Sequence, residues 1–272
     1  MLLSAVIEIS PLKQCVLPTS TGNYIHGLFF NLLRTCDADL ALKLHGDNRA
    51  KPFTVSPLHG NFSPVARGHN GLDPNKKYWF RFTSLNEELS SKLMTFLSGS
   101  RGKTCVIGDN EMIIQDVILD SAGHSWSGSS AHKRLYDKYI IRQEGICKNI
   151  TISFFTPTTF KQEDNYLLLP IPRILFHTTL EKWDTLSGIS IDRKDFLSWL
   201  EENCMVSRYE LKTRMWNFDK YKYAGFVGEV EFTDTSKSDS FYRALWNLLA
   251  DYIFWSGVGA KTTMGMGIAR RL

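Results

Sequence analysis

The order of hydrophobic periods along the first 120 residues constrains the fold of this chain most. Residues 3–9 alternate between two faces, which is the two-residue period of a strand. Between residues 25 and 33 the apolar side chains recur at i, i+3, i+4, i+7 and i+8, the spacing of an amphipathic helix. The remaining predicted elements are a strand at 53–56, a strand at 78–83, a helix after residue 84 and extended structure over 105–119 with a turn at 108–110. The order β-α-β-β-α-β is the ferredoxin-like plan.

Polar residues predict where the helices of this plan begin and end. Residues 20–23 supply capping groups for the first helix. Ser84-x-x-Glu87 has the pattern of a capping box, which predicts that the next long helix opens at Ser84. A short helical segment is predicted at 38–44, followed by a polar loop at 45–49.

The second half of the chain repeats the same order of elements. Residues 121–130, SAGHSWSGSS, form the strongest composition shift and predict a boundary between domains at 1–123 and 131–272. Strands are predicted at 150–154, 206–216, 221–233 and 264–270, with helices opening near Asp192 and after Ser238. The segment 166–183, which contains Pro170 and Pro172, does not fit this order. The predicted fold class is α+β, with tandem ferredoxin-like (RRM-like) domains and a C-terminal glycine-rich loop.

Composition excludes several classes of protein. The chain has 272 residues, of which 43% are hydrophobic, and contains no run of about 18 apolar residues, so a core is expected and a membrane span is not. Glu8 comes too early for a secretory signal, and we expect a cytoplasmic protein. The five widely spaced cysteines and the seven histidines lack disulfide or metal-ligand spacing, so neither a metal nor a cofactor is expected. The net charge of +4 permits a polyanionic partner without requiring one.

The segment GVGAKTTMGMG, residues 257–267, is the most unusual local feature. It is not a phosphate loop, because Ala260 and Trp255 replace the two glycines of G-x-x-x-x-G-K-T and no helix follows. Glycines at this density indicate a backbone that adopts positive φ and approaches another chain closely. Two interpretations remain open: free amides with Lys261 form an anion site suited to a sugar-phosphate backbone, or the segment is a tight turn before an edge strand. The candidate RNA-binding residues here are Gly257, Gly259, Lys261, Thr262, Gly265 and Gly267.

These motifs resemble those of a known family. The chain ends with a helix, then G-x-G-x-x-x-x-x-G-x-G, then a short strand. This order resembles the C-terminal pattern of the CRISPR-associated endoribonucleases that cut precursor guide RNA within its repeats. These enzymes are members of the repeat-associated mysterious protein superfamily. Other segments agree in order and spacing with the family's first helix (Tyr24 to Leu28), catalytic-histidine loop (Leu44-His45), second strand (Lys51 to Ser56) and second-domain opening strand (Ser153 to Thr158).

The resemblance implies metal-independent chemistry, in which the 2'-hydroxyl attacks the neighbouring phosphate and leaves a 2',3'-cyclic phosphate and a 5'-hydroxyl. Such a reaction needs a base, an acid and positive charge, for which histidine and lysine are suited. His45 and Lys51 correspond to the family's catalytic histidine and lysine. Phe30 takes the place of a tyrosine found in some relatives, so His26, one helical turn earlier, is the next candidate acid or base, with Tyr24 a weaker one.

Residues outside these motifs extend the expected RNA surface. Arg208, Lys212 and Arg214 share one face of a predicted strand and suit a row of phosphates, although a solvated sheet face is equally compatible. Tyr221 and Tyr223 on the next strand suit either base stacking or the core. The expected partner is CRISPR repeat RNA or precursor guide RNA; other CRISPR effector subunits and a monomeric or homodimeric state stay open. The alternative function is a non-catalytic superfamily subunit that packages guide RNA.

Overall fold

The structure is a computed structural model, and it describes residues 1–46, 50–66, 68–218, 221–237 and 241–272. Contacts divide the chain into two compact units. Unit 1 contains Met1–Ser129, Asn217–Asp219 and Thr263–Gly265, and unit 2 contains Ser130–Trp216, Lys220–Thr262 and Met266–Leu272. The boundaries predicted from composition, 1–123 and 131–272, stay a prediction.

Unit 1 is built on an antiparallel sheet in the order β3-β7-β1-β9-β8. The strands up to the end of this region are β1 (Leu2–Pro11), β2 (Cys15–Pro18), β3 (Phe53–Val55), β4 (His59–Gly60), β5 (Ser63–Pro64), β6 (His69–Leu72), β7 (Tyr78–Ser84), β8 (Thr104–Ile107), β9 (Asn110–Ile118) and β10 (Gly128–Ser130), and the helices are α1 (Gly22–Cys36), α2 (Ala38–Gly46) and α3 (Glu87–Ser98). The order β3-β7-β1-β9 is the ferredoxin-like one, and it confirms the predicted plan.

The core of unit 1 follows from the predicted periods. In the β1–β7 pair, Ala5 lies opposite Phe82 and Ile7 lies opposite Phe80, and all four side chains are buried. Helix α1 buries Phe29 against this face, where its ring stacks on Phe53 of β3 with centroids 4.2 Å apart. The alternation of β1 and the stripe of α1 therefore meet in one hydrophobic core, which places α1 over the sheet.

Three predicted helix ends in unit 1 were wrong. The side chain of Thr21 does not cap α1; its Oγ1 accepts a hydrogen bond from the backbone N–H of Leu58 instead. Helix α3 opens at Glu87, because Asn86 is its cap and accepts from the N–H of Leu89. Helix α2 continues through His45 to Gly46, so His45 is helical rather than part of a polar loop. The rest of that predicted loop, residues 47–49, lies outside the described residues.

Unit 2 has a second antiparallel sheet in the order β14-β15-β11-β16, again the ferredoxin-like order. Its strands are β11 (Asn149–Thr158), β12 (Phe160–Gln162), β13 (Asn165–Leu167), β14 (Cys204–Asn217), β15 (Lys222–Asp234) and β16 (Ala269–Arg271), and its helices are α4 (His132–Tyr136), α5 (Pro172–Leu186), α6 (Arg193–Asn203) and α7 (Phe241–Ser256). A short π-helical turn, Asp137–Ile141, follows α4, and a short 3₁₀ turn, Thr262–Met264, precedes β16.

The segment that did not fit the sequence pattern is largely a helix. Helix α5 begins at Pro172, because proline at the first helical position has a suitable φ and lacks only an N–H that would have no partner there. The terminal strand is shorter than predicted, since residues 262–264 form the 3₁₀ turn. The predicted start of the last helix at Ser238 lies outside the described residues. Across the described parts of the chain, none of the helices is both long and apolar enough to cross a membrane.

Candidate functional site

Two histidines of unit 1 flank one buried aromatic ring. The ring of Phe30 on α1 has its centroid 4.9 Å from that of His26 and 5.5 Å from that of His45, both with edge-on geometry. The ring centroid of Phe53 lies 6.1 Å from that of His26 and 5.6 Å from that of Phe30. The fold thus brings together the two histidines selected from the sequence, His26 from α1 and His45 from α2. We refer to these four side chains as the histidine cluster.

His26 is held in one tautomer by the end of the chain. Its Nδ1 lies 2.7 Å from the carbonyl oxygen of Thr263, which belongs to unit 1. Because a carbonyl only accepts, Nδ1 carries the proton and donates it, which leaves the lone pair of a neutral ring on Nε2. Partial burial lowers the pKa of His26 below 6.5, and the nearby charges of His45 and Lys51 act in the same direction, whereas the bond to Thr263 acts in the opposite one. The side chain is therefore a neutral base near pH 7.

His45 and Lys51 are linked through the end of α2. His45 is exposed in the last turn of the helix. The Nζ of Lys51 donates to the carbonyl oxygen of Leu44 at 2.5 Å and to that of His45 at 3.3 Å, so the ammonium group caps the helix C-terminus. Lys51, the lysine selected from the sequence as catalytic, is half-buried and fixes the backbone that carries His45.

Phe30 and Tyr24 limit the choice of proton donors. Phe30 is 7% exposed and has no ionisable group, so it acts by packing between the histidines. Tyr24 is two residues before His26, and successive residues of a helix are about 100° apart, so Tyr24 lies on nearly the opposite side of α1. Its ring packs near Gly108 instead. Tyr24 is therefore not a member of the histidine cluster.

The glycine-rich segment has the positive φ angles that its sequence predicts. Gly257, Gly259, Gly265 and Gly267 all have φ between +57° and +89°, and Lys261 also has φ of +59°. Three of these glycines lie tightly against the chain's own backbone. A Cβ added at Gly257 would lie 2.9 Å from the carbonyl oxygen of Gly267. One added at Gly259 would lie 2.4 Å from the carbonyl oxygen of Thr159, and one added at Gly267 would lie 2.0 Å from that of Val258. The close approach predicted toward another chain is made within this chain.

Internal hydrogen bonds also reduce the predicted anion site. The amides of Gly257, Val258, Ala260, Met266 and Gly267 already donate to backbone carbonyls. Residues 257, 258, 260, 266 and 267 therefore contribute no free amide to an anion site. Among the residues selected from the sequence, Gly257, Thr262, Gly265 and Gly267 are buried, whereas Gly259 and Lys261 are partly exposed. Direct contact with a ligand is thus open to Gly259 and Lys261, and the buried residues shape the loop.

Sequence reasoning missed a lysine that supports this segment. Lys182 of α5 donates from Nζ to the carbonyl oxygen of Ser256 at 2.6 Å and to Oγ1 of Thr262 at 3.1 Å. Burial lowers the pKa of the Lys182 ammonium to about 7. All three residues belong to unit 2. Lys182 comes from the segment that fitted no pattern, and nothing in the local sequence marks it.

The predicted basic stripe of β14 is mixed in charge. Arg208, Lys212 and Arg214 are exposed, as a solvent-facing row requires. A surface depression near Arg208 is, however, lined by Glu210, Glu229 and Glu231, and the one beside Lys212 contains Glu210 and Glu229. These carboxylates oppose the binding of a phosphate row. The face is therefore mixed in charge, and a role for Arg208, Lys212 and Arg214 in binding RNA stays a prediction.

Lys261 lies beside one ring of a tyrosine cluster in unit 2. Its Nζ lies 5.8 Å from the ring centroid of Tyr223, within the range of a cation–π contact. Tyr166 packs edge-on against Tyr223 at 4.8 Å, and Tyr221 does so at 5.5 Å. Tyr221 is 47% exposed, so the core interpretation of this residue was wrong. A cation beside accessible rings is suited to a phosphate and an unpaired base.

The two sheets and the candidate site together define a class of protein. Two ferredoxin-like sheets occur in one chain, with a histidine pair on the first helix layer and a glycine-rich C-terminal segment whose residues 263–265 belong to unit 1. No group of three or more His, Cys, Asp or Glu side chains in the described ranges is placed to hold a metal ion. The class is a tandem ferredoxin-like protein of α+β type.

Comparison with known proteins identifies the family. The family model described as the CRISPR Cas6 N-terminal domain matches residues 1–137, and the model for CRISPR-associated endoribonuclease Cas6 matches residues 152–269. The chain therefore belongs to the Cas6 family of CRISPR-associated endoribonucleases.

Curated relatives and solved structures agree with this assignment. The Streptococcus thermophilus Cas6 is 28% identical over 118 residues, 43% of this chain, and the Mycobacterium tuberculosis one is 27% identical over 123 residues, 45% of this chain. The aligned part spans only 48% and 38% of those two relatives. The Cas6 (TTHB231) product complex, a protein of Thermus thermophilus, has a TM-score of 0.82 at 29% identity and full coverage of both chains. The Cas6 (TTHA0078) product complex has a TM-score of 0.79 at 25% identity, over 100% of this chain and 99% of the other.

Proposed function

We propose that this protein is a metal-independent endoribonuclease that cuts CRISPR precursor RNA within its repeats. The observation that carries the proposal is the histidine cluster, in which a neutral His26 with its lone pair on Nε2 shares the Phe30 ring with His45. Two imidazoles in contact with one ring are suited to an acid–base pair. The curated relatives named as CRISPR-associated endoribonucleases support an RNA substrate.

The proposed reaction assigns one proton transfer to each histidine. Nε2 of His26 accepts the proton of the 2'-hydroxyl while the 2'-oxygen forms a bond to the adjacent phosphorus. The bond between phosphorus and the 5'-oxygen then breaks, and a protonated His45 gives its proton to that oxygen. The products are a 2',3'-cyclic phosphate and a 5'-hydroxyl. Exposure of His45 lets solvent restore its proton for the next cycle.

Each unit supplies a lysine to the proposed function. Lys51 fixes the end of α2 through the carbonyls of Leu44 and His45, and its ammonium group adds positive charge for the phosphorane. Gly259 and Lys261 are proposed as direct RNA contacts, with Tyr223 available for stacking. Gly257, Thr262, Gly265 and Gly267 shape the loop that carries these contacts. Lys212 and Arg214 stay secondary candidates, and Arg208, beside three glutamates, is the weakest.

The proposal is tested by incubating the protein with candidate repeat RNAs in the presence of a chelator and mapping the ends of the fragments. We expect one cut per repeat with a cyclic phosphate, no cut when the upstream nucleotide is 2'-deoxy, and a rate about 10² to 10⁴ times lower in His45→Ala with nearly unchanged RNA affinity. Cleavage of the 2'-deoxy RNA would exclude this mechanism, and a loss below tenfold would remove His45 from it.

A second function is favoured by one observation. Phe30 is buried and has no proton to give, where some relatives carry a tyrosine. The alternative is a non-catalytic subunit that binds and packages guide RNA. Tight binding of the repeat RNA without any cut in the same assay would support this alternative.

A further inference from the structure

Unit 1 contains an open cavity of about 420 Å³ beside α1, separate from the histidine cluster. It lies between α1, strand β2 and the turn that joins β8 to β9. Its lining residues are Val16, Leu17, Pro18, Asn23, Tyr24, Gly27, Leu28, Asn31, Val106, Gly108, Asp109 and Asn110. Gly108 brings the turn close to α1, because a Cβ there would lie 3.4 Å from Leu17 and 3.8 Å from the ring of Tyr24. The volume is within the range of small-molecule sites.

The lining is suited to a neutral group that forms hydrogen bonds. Asn23, Asn31 and Asn110 bring amide groups, and Asp109 is the one charged side chain among the described residues of the lining. A phosphate would meet this carboxylate, whereas the nearby Arg34 guanidinium lies outside the lining and already donates to Asn31 and to the carbonyl of Phe30. A flat nucleobase can instead pack against Leu17, Pro18 and the Tyr24 ring while its polar edge meets the amides.

Gly27 gives an independent reason to expect a ligand here. It lies in the middle of α1, where glycine is the poorest helix former except proline. A Cβ at Gly27 would meet nothing within 4 Å, so the fold itself does not require glycine at this position. A bare stretch of helix backbone allows a planar group to approach α1 closely. Packing within the fold therefore does not account for the glycine, and the open space above it would admit a planar group.

Asn31 and Asp109 provide the cavity with a hydrogen-bond donor and an acceptor. Arg34 donates from Nη2 to Oδ1 of Asn31 at 2.8 Å, which leaves the amide nitrogen of Asn31 to act as a donor. Asp109 can only accept when it is ionised. A donor and an acceptor together recognise a base edge in which an amino group stands beside a ring nitrogen, as in adenine and cytosine. Uracil, which presents a carbonyl in place of the amino group, would meet the carboxylate unfavourably.

We infer that this cavity binds one unpaired adenine or cytosine of the RNA, next to the cleaved phosphate. The inference rests on the proposed function for the identity of the RNA. The position of the base relative to His26 follows from helix α1, because Gly27 directly follows His26 and Asn23 lies one turn before Gly27. The base occupies the α1 face adjacent to the one that carries His26, and it selects the site of cleavage.

The test measures affinity and cleavage on a series of repeat RNAs. Each unpaired nucleotide is replaced in turn by uracil, and each adenine or cytosine by an analogue without the amino group, namely purine or pyrimidin-2-one. Affinity is measured on RNA blocked with a 2'-deoxy nucleotide. We expect one position where loss of the amino group weakens binding about tenfold. In Asn31→Ala and Gly27→Met this discrimination should fall below twofold, whereas Asn75→Ala, an exposed asparagine of unit 1 outside the cavity, should retain it.

The outcomes separate this inference from the proposed function. Wild-type cleavage with equal affinity for every analogue overturns the base site and leaves the nuclease in place. Discrimination that persists in both cavity variants also overturns it. Discrimination that both variants abolish supports the base site even where no RNA is cut, and that result would contradict the nuclease alone.

Discussion

At the scale of single residues, the chemistry of the site depends on the environment of His26. A free histidine is partly protonated near pH 6.5, whereas this ring is partly buried beside two other cationic or potentially cationic groups. The carbonyl of Thr263 selects the tautomer with the lone pair on Nε2. Both effects favour the state that a general base needs at neutral pH, and both come from residues distant in sequence.

The lowered pKa of His26 predicts the pH dependence of the reaction. Because the base is active only when neutral, the single-turnover rate should not fall on account of His26 until the pH is below 6.5. An NMR titration of the His26 ring, assigned with His26→Gln, should give a pKa below 6.5. The exposed His69, changed to Gln, is the matched control and should leave that titration unaltered. A His26 pKa at or above 6.5 would contradict the assignment of His26 as the neutral base.

At the scale of structural elements, the start of α1 and the glycine-rich segment depend on each other. A Cβ at Gly22 would lie 2.0 Å from the carbonyl oxygen of Met264, and both residues belong to unit 1. Thr263, one residue earlier, holds His26. The close approach of α1 to residues 263–265 therefore helps to position the base, and only glycine at residue 22 permits it.

This contact predicts opposite effects for two similar substitutions in α1. Gly22→Ala should lower the free energy of unfolding by about 1–3 kcal/mol, because the methyl group clashes with backbone. Gly27→Ala should raise it by up to about 1 kcal/mol, because alanine favours the helix and the space is open. Urea unfolding of both variants measures these changes. Equal effects of the two substitutions would mean that residues 263–265 do not lie against Gly22 in solution.

At the scale of the whole molecule, the distribution of charge matters more than the total. A net charge of +4 is small for a protein that binds RNA. The surface that β14 shares with β15 carries Glu210, Glu229 and Glu231 among its basic residues, whereas Lys261 lies beside Tyr223. We therefore expect few phosphate contacts, concentrated near the glycine-rich segment rather than along the strand.

The salt dependence of RNA binding should distinguish these two regions. Lys261→Gln should reduce the slope of log affinity against log salt by about 0.7, the value for one contact to single-stranded RNA. Arg208→Gln removes the same charge from the mixed face and should leave the slope nearly unchanged. Filter binding at several salt concentrations measures both. A larger change for Arg208→Gln would restore the basic stripe as the binding surface.

The order of elements in unit 1 could be predicted from the sequence, because hydrophobic periods are local and the apolar residues of each element mark its buried face. In unit 2 the same reasoning missed helix α5. The order β-α-β-β-α-β, the first helix with His26, and the positive φ of the glycine-rich segment could all be predicted on that basis. The start of α3 at Glu87 and the end of α2 at Gly46 could not be predicted. Asn86 and Ser84 are equally good capping residues in sequence, and the polar residues after Leu44 are compatible with either a loop or a longer helix.

Contacts between residues distant in the chain set which groups are available for chemistry. His26 and its partner Thr263 are 237 residues apart, and Lys182 reaches Thr262 across 80 residues. Whether an amide of the glycine-rich segment is free or already bonded depends on Pro157 and Thr159, which come from the opening strand of unit 2 and the residue after it. Burial, tautomer and hydrogen-bond saturation are set by neighbours in space, and no local pattern in the chain encodes them.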